Sequence, residues 1–416
     1  MKIGRRGFIA MAAAGLASCR SLNAGRGRAG RFFFTSGGKT GMMRGDGSGL
    51  RWFEFDVPGQ ATWQPCQFFS DGRVLFLSME PRRDGPGRPF AEYYHKTPTH
   101  LWIHDLDTGS LVEIATRDRM APFYTPQLLL NDDRVLVQVV RDGGGQTYSM
   151  NIDGSDACEF TRLGEGMPYG FSLSPDGRRV AYHIAGPAGY QIWTCDPDGG
   201  GRTLVAAHPE RLYFAPAWSP DGTWLVFQDC RFGQDPGHDW SDVVVARPDG
   251  SELRNVTSGQ SAWFAATYGP ADNRGGGSNM PTWTRDGRIL FSRRRPGSRV
   301  PWAYQTGRPD TDHFNREFVP DQARGGTDTC RIDPAGGDIE CLTKCEPPVW
   351  DFRQTESPDG RSILFCRAET GGSPAIWIMD GDGGNPRMLT RGVDDRGADH
   401  PRWLPRHSDS YGVRLG

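Results

Sequence analysis

Short apolar stretches alternate with turn-forming residues over most of this chain. Apolar runs at residues 74–77, 224–227 and 362–366 each follow an Asp-Gly pair, and similar runs recur between residues 31 and 405. Such pairs favour tight turns, because Asp bonds its own backbone and Gly accepts a positive φ. No long amphipathic helical stretch is evident in the sequence. The pattern therefore predicts many short antiparallel strands.

The segment 352–392 contains one complete copy of the recurring unit. It comprises a first strand, a turn at 357–360, two apolar strands at 362–366 and 375–380, a second turn at 381–384 and a short last strand. A four-stranded meander cannot bury both of its faces alone, so neighbouring units must pack against each other. A period of about 45 residues built in this way is typical of β-propeller blades.

Paired turns locate the other copies. The first turns lie at 71–72, 131–132, 176–177, 221–222, 286–287 and 359–360, and the second turns at 107–109, 153–154, 198–199, 249–250, 335–337 and 382–383. They predict six full blades, and a lone first strand at 400–404 complements three strands near the N-terminus. The predicted fold class is all-β: a seven-bladed β-propeller with four-stranded antiparallel blades, closed by pairing the C-terminal strand with the N-terminal strands.

The repeats resemble a known family. The turn motifs Ser174-Pro175-Asp176-Gly177 and Ser219-Pro220-Asp221-Gly222, together with the unit 352–392, are similar to the TolB-type (WD-like) β-propeller repeat over residues 31–405. A more distant similarity connects the chain to oligogalacturonate lyase propellers. The resemblance implies the propeller fold, but such repeats occur in envelope scaffold proteins, in peptidases and in polysaccharide lyases. No G-x-S-x-G motif is present, so a peptidase is not expected.

The N-terminal region has the features of an export signal. Residues 1–19 combine Arg5-Arg6, as in a twin-arginine motif, with a short apolar run and a lipobox that ends at Cys19. We predict an exported bacterial lipoprotein of the periplasm or cell envelope, lipidated at Cys19 and attached to the membrane only through that lipid. The alternative is an ordinary secretory signal with a chance Cys. Residues 20–30 are predicted to be a flexible tether and 406–416 a C-terminal tail.

The charge balance of the chain limits the classes of partner that it is expected to bind. The 48 Lys and Arg residues balance 50 Asp and Glu residues, and the net charge of −2 argues against a nucleic-acid partner.

Cys330 and Cys341 flank the turn at 335–337 symmetrically, so they are candidates for a disulfide. Cys345 is a rival partner, and a reduced pair is the other alternative. The protein is expected to be monomeric and to need no cofactor.

Long connections distinguish one face of the predicted propeller from the other. The segments 81–99, 231–241, 259–279 and 294–325 exceed what the unit 352–392 needs, and all lie opposite the tight turns. Aromatic residues and Arg in these segments suit a protein or glycan ligand. The candidate ligand-binding residues are Trp302, Arg308, Asp312, Arg316, His238, Trp240 and Arg402. The alternative is that these loops pack on themselves and that their charges are only solvated.

Strand alternation predicts which residues face the axis of the ring. Arg353, His400 and Arg402 stand at axis-facing positions where the other blades mostly carry small residues. Arg353 could instead pair with Asp351 or Asp399.

Two functions follow from these features. The first is a non-catalytic binding or scaffold module. The second is an enzyme resembling oligogalacturonate lyase, which removes a proton beside a uronate carboxylate and needs a base plus Arg or a divalent metal. Its candidate catalytic residues are Arg353, His400, His313 and Tyr304. The closely spaced histidine pair of that family is missing and no metal ligands are assigned, so binding is ranked first.

Overall fold

The computed structural model describes residues 30–36, 39–53, 61–69, 71–79, 99–114, 127–129, 133–141, 144–186, 189–231, 241–259, 279–304, 316–391, 393 and 397–404. These residues form β-strands joined by turns, with one short 3-10 helix at Pro320–Gln322 and no α-helix among them. Within the same ranges no helix is both long and apolar enough to cross a bilayer. The all-β prediction is confirmed.

The strands, in chain order, are β1 (Arg31–Ser36), β2 (Lys39–Arg44), β3 (Arg51–Phe53), β4 (Ala61–Phe68), β5 (Val74–Met79), β6 (Thr99–His104), β7 (Leu111–Glu113), β8 (Gln127–Leu128), β9 (Arg134–Arg141), β10 (Gly144–Asn151), β11 (Cys158–Glu159), β12 (Met167–Leu173), β13 (Val180–Gly186), β14 (Gly189–Cys195), β15 (Thr203–Ala206), β16 (Arg211–Trp218), β17 (Leu225–Arg231), β18 (Ser241–Ala246), β19 (Arg254–Asn255), β20 (Thr282–Trp283), β21 (Ile289–Arg294), β22 (Trp302–Tyr304), β23 (Arg316–Phe318), β24 (Thr327–Ile332), β25 (Glu340–Cys341), β26 (Val349–Glu356), β27 (Ser362–Glu369), β28 (Ala375–Asp380), β29 (Arg387–Met388) and β30 (Asp399–Trp403).

These strands are arranged in antiparallel four-stranded meanders. The meanders are β4-β5-β6-β7, β8-β9-β10-β11, β12-β13-β14-β15, β16-β17-β18-β19, β20-β21-β24-β25 and β26-β27-β28-β29. Single parallel bridges, Tyr190 to Leu212 and Thr327 to Trp350, join two pairs of meanders into longer sheets. The separate hairpin β22-β23 is inserted between β21 and β24.

The first and last described strands of the chain share one sheet, with the order β3-β2-β1-β30. In it Phe32 pairs with Trp403 and Phe33 pairs with Arg402. Phe32 also belongs to a buried cluster with Leu364 of β27, and Phe33 belongs to another with Phe68 of β4. The sheet that unites the two ends of the chain therefore packs between the β26–β29 and β4–β7 meanders.

The first turns of several meanders begin with Ser or Thr two residues before Asp, and hydrogen bonds within the turn explain this choice. In the unit at 352–392, the Ser357 hydroxyl donates to Asp359 Oδ1 at 2.7 Å and accepts from the Ser362 amide at 3.0 Å. Gly360 takes a φ of 72°, which a side chain would disfavour. The turn is thus closed by its own side chains before either strand packs.

One buried position in the second strand connects five of the six meanders to the meander that follows along the chain. Gln228 Nε2 donates to the Asn279 carbonyl at 3.0 Å, and the Ala215 amide donates to His183 Nδ1 at 3.3 Å. The residues at the equivalent position of three further meanders also bond to the strand that begins the following sheet. They are Gln138, Ser292 and Cys366. All five are buried, so each contact fixes the first strand of a neighbour in place.

Candidate functional site

Four strands, β12, β16, β26 and β30, carry a matched backbone irregularity. Register shifts interrupt the pairing of β12, β16, β26 and β30 with their neighbours. At each shift one residue has a positive φ: Gly170 at 68°, Ala215 at 55°, Arg353 at 52° and His400 at 53°. A left-handed conformation costs a residue other than Gly about 1 kcal/mol or more, and such strain often accompanies functional sites.

Arg353 is held from two neighbouring meanders. Its amide donates to Asn279 Oδ1 at 2.8 Å, and its guanidinium donates to the Asp399 carboxylate. The Arg353 and Asp399 side chains are only 8% and 10% exposed. Of the two carboxylates considered from the sequence, Asp399 is the partner, because Asp351 instead pairs with Arg367 at 2.7 Å. Arg353 is therefore a buried charge anchored by Asn279 and Asp399 rather than an open one.

His400 lies next to this ion pair. Its amide donates to Asp399 Oδ1 at 2.7 Å, and its Nδ1 is 3.3 Å from both Asp399 Oδ2 and Thr35 Oγ1. Desolvation, together with the Arg353 and Arg402 charges, lowers the pKa of His400 to about 3, although Asp399 opposes the shift. The imidazole is therefore neutral at pH 7. The side chain is 29% exposed, so a ligand can reach the ring. A proton on Nδ1, which faces Asp399, would leave Nε2 as an acceptor.

The other sequence-predicted residues fall into three groups. Arg402 is exposed on β30, and its charge acts on His400. Trp302, Tyr304 and Arg316 lie on the β22-β23 hairpin, where Tyr304 pairs directly with Arg316. Several predicted residues lie outside the described residues: Cys19, His238, Trp240, Arg308, Asp312 and His313. The structure thus brings together Arg353, His400 and Arg402.

Thr35, Asn279 and Asp399 complete the site, and sequence reasoning did not select them as site residues. Asp399 is the first residue of β30 and directly precedes the repeat pattern at 400–404. Its position relative to that pattern could have marked Asp399 as a site residue. Asn279 acts through a contact between meanders, which the spacing of one repeat does not reveal. In the part of the chain that the structure describes, no group of three His, Cys, Asp or Glu residues is arranged to hold a metal ion.

The stability of the protein is expected to fall between pH 6.5 and pH 3 partly through His400. Its pKa is about 3 in the folded protein and about 6.5 in an unfolded chain. The unfolded state therefore binds more protons in this window, so the free energy of unfolding decreases as the pH falls. His400→Asn should reduce this dependence, and Asn tolerates the positive φ.

Urea unfolding at pH 7 and pH 4.5 measures the effect. His208→Asn, at an exposed position, controls for the loss of a His. Equal losses of stability on acidification in the native protein and in His400→Asn would show that His400 is not the group responsible.

Comparison with known proteins gives partial sequence matches. No family model matches the chain. A segment of 97 residues is 32% identical to an uncharacterized protein of Agrobacterium fabrum, covering 23% of this chain and 31% of that protein. Another of 135 residues is 27% identical to a TolB homolog of Chlorobium luteolum, covering 31% of this chain and 28% of that protein. The matches thus span about a third of the length of these relatives.

Solved structures resemble the chain over most of its length. A puromycin hydrolase mutant matches with a TM-score of 0.54 and 14% identity, covering 87% of this chain and 52% of that one. An oligogalacturonate lyase in complex with manganese gives 0.51 and 14%, covering 86% and 85%. The β-propeller domain of the Trilobed protease from Pyrococcus furiosus gives 0.50 and 10%, covering 88% and 95%. The chain therefore has a β-propeller fold, and its repeats are similar to those of TolB-type proteins and, more distantly, to the oligogalacturonate lyase propeller.

Proposed function

We propose that this protein is an exported, TolB-like β-propeller lipoprotein that binds an envelope protein or glycan. The observation that carries the proposal is the cluster of Arg353, Asp399 and His400. Two of these residues hold strained backbone, and neighbouring meanders position all three. A fold that needed only to close its core could place small residues here, as it does at Gly170 and Ala215.

The proposed scaffold is a ring of seven blades, closed by the β3-β2-β1-β30 sheet. The support is an inter-meander hydrogen bond that recurs along the first strands. Trp218 Nε1 donates to the Ser172 carbonyl at 3.0 Å, and Trp283 Nε1 donates to the Ala217 carbonyl at 3.0 Å. Trp403 of β30 makes the equivalent bond to the Thr355 carbonyl at 3.3 Å. β30, the last described strand, therefore contacts its neighbour as an ordinary first strand does.

The charges favour a ligand that carries a carboxylate. Arg353 and Asp399 offset each other, His400 is neutral, and Arg402 adds a guanidinium at an exposed position of the same strand as His400. A carboxylate is attracted by this charge, and the Nε2 of His400 accepts a hydrogen bond from a hydroxyl or amide. Acidic glycans and acidic peptides both offer this combination.

Titration calorimetry with oligouronates, neutral glucans and acidic peptides tests the proposal. Acidic ligands are expected to bind and neutral glucans are not. Arg402→Ala should weaken binding by roughly tenfold, because one charge-assisted contact is lost. Arg361→Ala, at an exposed position in the β26-β27 turn, is the matched control. Equal affinities for Arg402→Ala and Arg361→Ala would contradict this site.

A uronate lyase is the second candidate, because His400 is an unprotonated imidazole within electrostatic reach of the Arg353 guanidinium, although its pKa of about 3 makes it a weak base. The residues described by the structure do not fit a three-ligand metal site, so this candidate depends on His400 and the two Arg residues. Ultraviolet absorbance of unsaturated product from polyuronates, with and without chelator, measures the activity. Product that forms with the native protein and is lost in His400→Asn would favour the lyase, and no product on any polyuronate would remove it.

A further inference from the structure

Two cysteines occupy a cross-strand position that other meanders fill differently. Cys330 of β24 pairs directly with Cys341 of β25. The equivalent pairs of other meanders are Trp102 with Glu113, Tyr148 with Glu159, Val244 with Asn255 and Trp377 with Met388. The repeat therefore does not require cysteines here, and their presence in this one meander needs a separate reason.

The backbone at this position suits a covalent cross-link. The Leu342 amide donates to the Thr329 carbonyl at 2.9 Å, so Cys330 and Cys341 form a non-hydrogen-bonded pair, in which opposing side chains are closest. Their Sγ atoms are 2.8 Å apart. A disulfide requires about 2.05 Å between the sulfurs, so less than about 1 Å of approach separates the two states.

The two thiols differ in their surroundings. Cys330 is fully buried, whereas Cys341 is partly exposed. Arg293 Nη1 donates to Cys341 Sγ at 3.3 Å. The hydrogen bond from Cys330 and the Arg293 charge lower the pKa of Cys341 to about 6, while burial raises that of Cys330. Cys341 is thus the thiol that solvent reaches and that ionises first.

Cys345 is engaged elsewhere. Its thiol donates to Asp351 Oδ2 at 3.0 Å, and Arg367 Nη2 lies 2.9 Å from its Sγ. Pairing Cys345 with Cys341 would break these contacts and leave the buried Asp351 with one donor fewer. Of the two partners that the sequence leaves open for Cys341, the contacts favour Cys330.

We propose that Cys330 and Cys341 are a dithiol site that small disulfides such as oxidised glutathione convert to an intramolecular disulfide, with Cys341 reacting first. The Cys341 thiolate attacks one sulfur of the oxidant, which releases one molecule of thiol and leaves a mixed disulfide. The Cys330 sulfur then attacks Cys341 Sγ and releases the second thiol. The two cysteines are oxidised, the oxidant is reduced to two thiols, and the two cysteine protons end on those thiols. The product links β24 to β25, a strand of only two residues.

Peptide mapping of the reduced, purified protein after exposure to oxidised glutathione at pH 7 tests the proposal. The expected product is a peptide pair linked through Cys330 and Cys341. Cys158 is exposed and reports that the oxidant was active, because it should form a mixed disulfide with glutathione. Finding Cys158 modified while Cys330 and Cys341 stay free, or Cys341 linked to Cys345, would overturn the proposal.

Variants test the order of reaction. Cys330→Ser should stop at a stable mixed disulfide on Cys341, whereas Cys341→Ser should leave Cys330 unmodified. Arg293→Met should slow modification of Cys341 by roughly fivefold at pH 7 and move the rate profile to higher pH, because less thiolate is present. An unchanged rate in Arg293→Met, or prompt modification of Cys330 in Cys341→Ser, would contradict the assignment of Cys341 as the first nucleophile.

Discussion

Deletion of residues 399–416 is expected to abolish cooperative folding, because β30 is lost with them. Trp403 packs edge-on against Phe32, with ring centroids 5.7 Å apart, and bonds the Thr355 carbonyl of the neighbouring meander. Trp403 is half-buried. Loss of a fully buried Trp costs about 3–5 kcal/mol, and here the backbone pairing of β30 with β1 is lost as well, whereas a typical domain has only about 5–15 kcal/mol of stability. The deletion also exposes the edge of β1, whose unpaired backbone groups invite aggregation.

Circular dichroism during heating and size-exclusion chromatography measure the outcome. A protein ending at residue 405 is the control, since it keeps all of β30. We expect the control to melt in one sharp transition and the shorter chain to elute as aggregate or melt without a transition. A sharp transition of similar midpoint in both would show that β30 is dispensable for the fold.

Much of this architecture is visible in the sequence, because its signals are local. The Ser-Pro-Asp-Gly turns close through contacts within the turn, such as that of Ser357 with Asp359, so they mark the same place in the three copies that carry them, at 174–177, 219–222 and 357–360. The symmetric spacing of Cys330 and Cys341 about one turn similarly predicts that they face each other across a hairpin, as they do.

The site is harder to predict, because it depends on register between meanders. Arg353 adopts a positive φ where β26 shifts register against β27, and nothing in its own sequence neighbours requires this. Gln228 follows the apolar run of a second strand, and a residue at the matching position of other repeats can be found in the sequence. Its role emerges only when its bond to the Asn279 carbonyl of the next meander is known.

Asp399 connects the closing strand to the site. It accepts from the Arg353 guanidinium, from the His400 amide and from the Cys366 thiol. These donors belong to β26, β30 and β27, so one carboxylate joins the end of the chain to the meander before it. The same residue therefore supports both the architecture and the electrostatics of the site.

Asp399→Ala is consequently expected to destabilise the protein by about 3–5 kcal/mol, the usual effect of removing one partner of a buried ion pair. Arg353, only 8% exposed, would keep its charge without that carboxylate, and the His400 amide would lose its acceptor. Asp196→Ala is the control, because Asp196 is 48% exposed and bonds Arg179 at 2.7 Å. Exposed pairs contribute at most about 1 kcal/mol. Urea denaturation of both variants measures the difference.

A double substitution separates the ion pair from simple packing. If the loss in Asp399→Ala comes from the stranded guanidinium, replacing Arg353 with Met in the same protein should recover part of it, since no buried charge remains. If instead Asp399 matters through its shape or its bond to the His400 amide, Asp399→Ala/Arg353→Met should be no more stable than Asp399→Ala. Recovery would show that the loss in Asp399→Ala comes from the unpaired Arg353 charge. Only a double variant more stable than the native protein would show that this ion pair is kept at the expense of stability, as expected of residues kept for a ligand rather than for the fold.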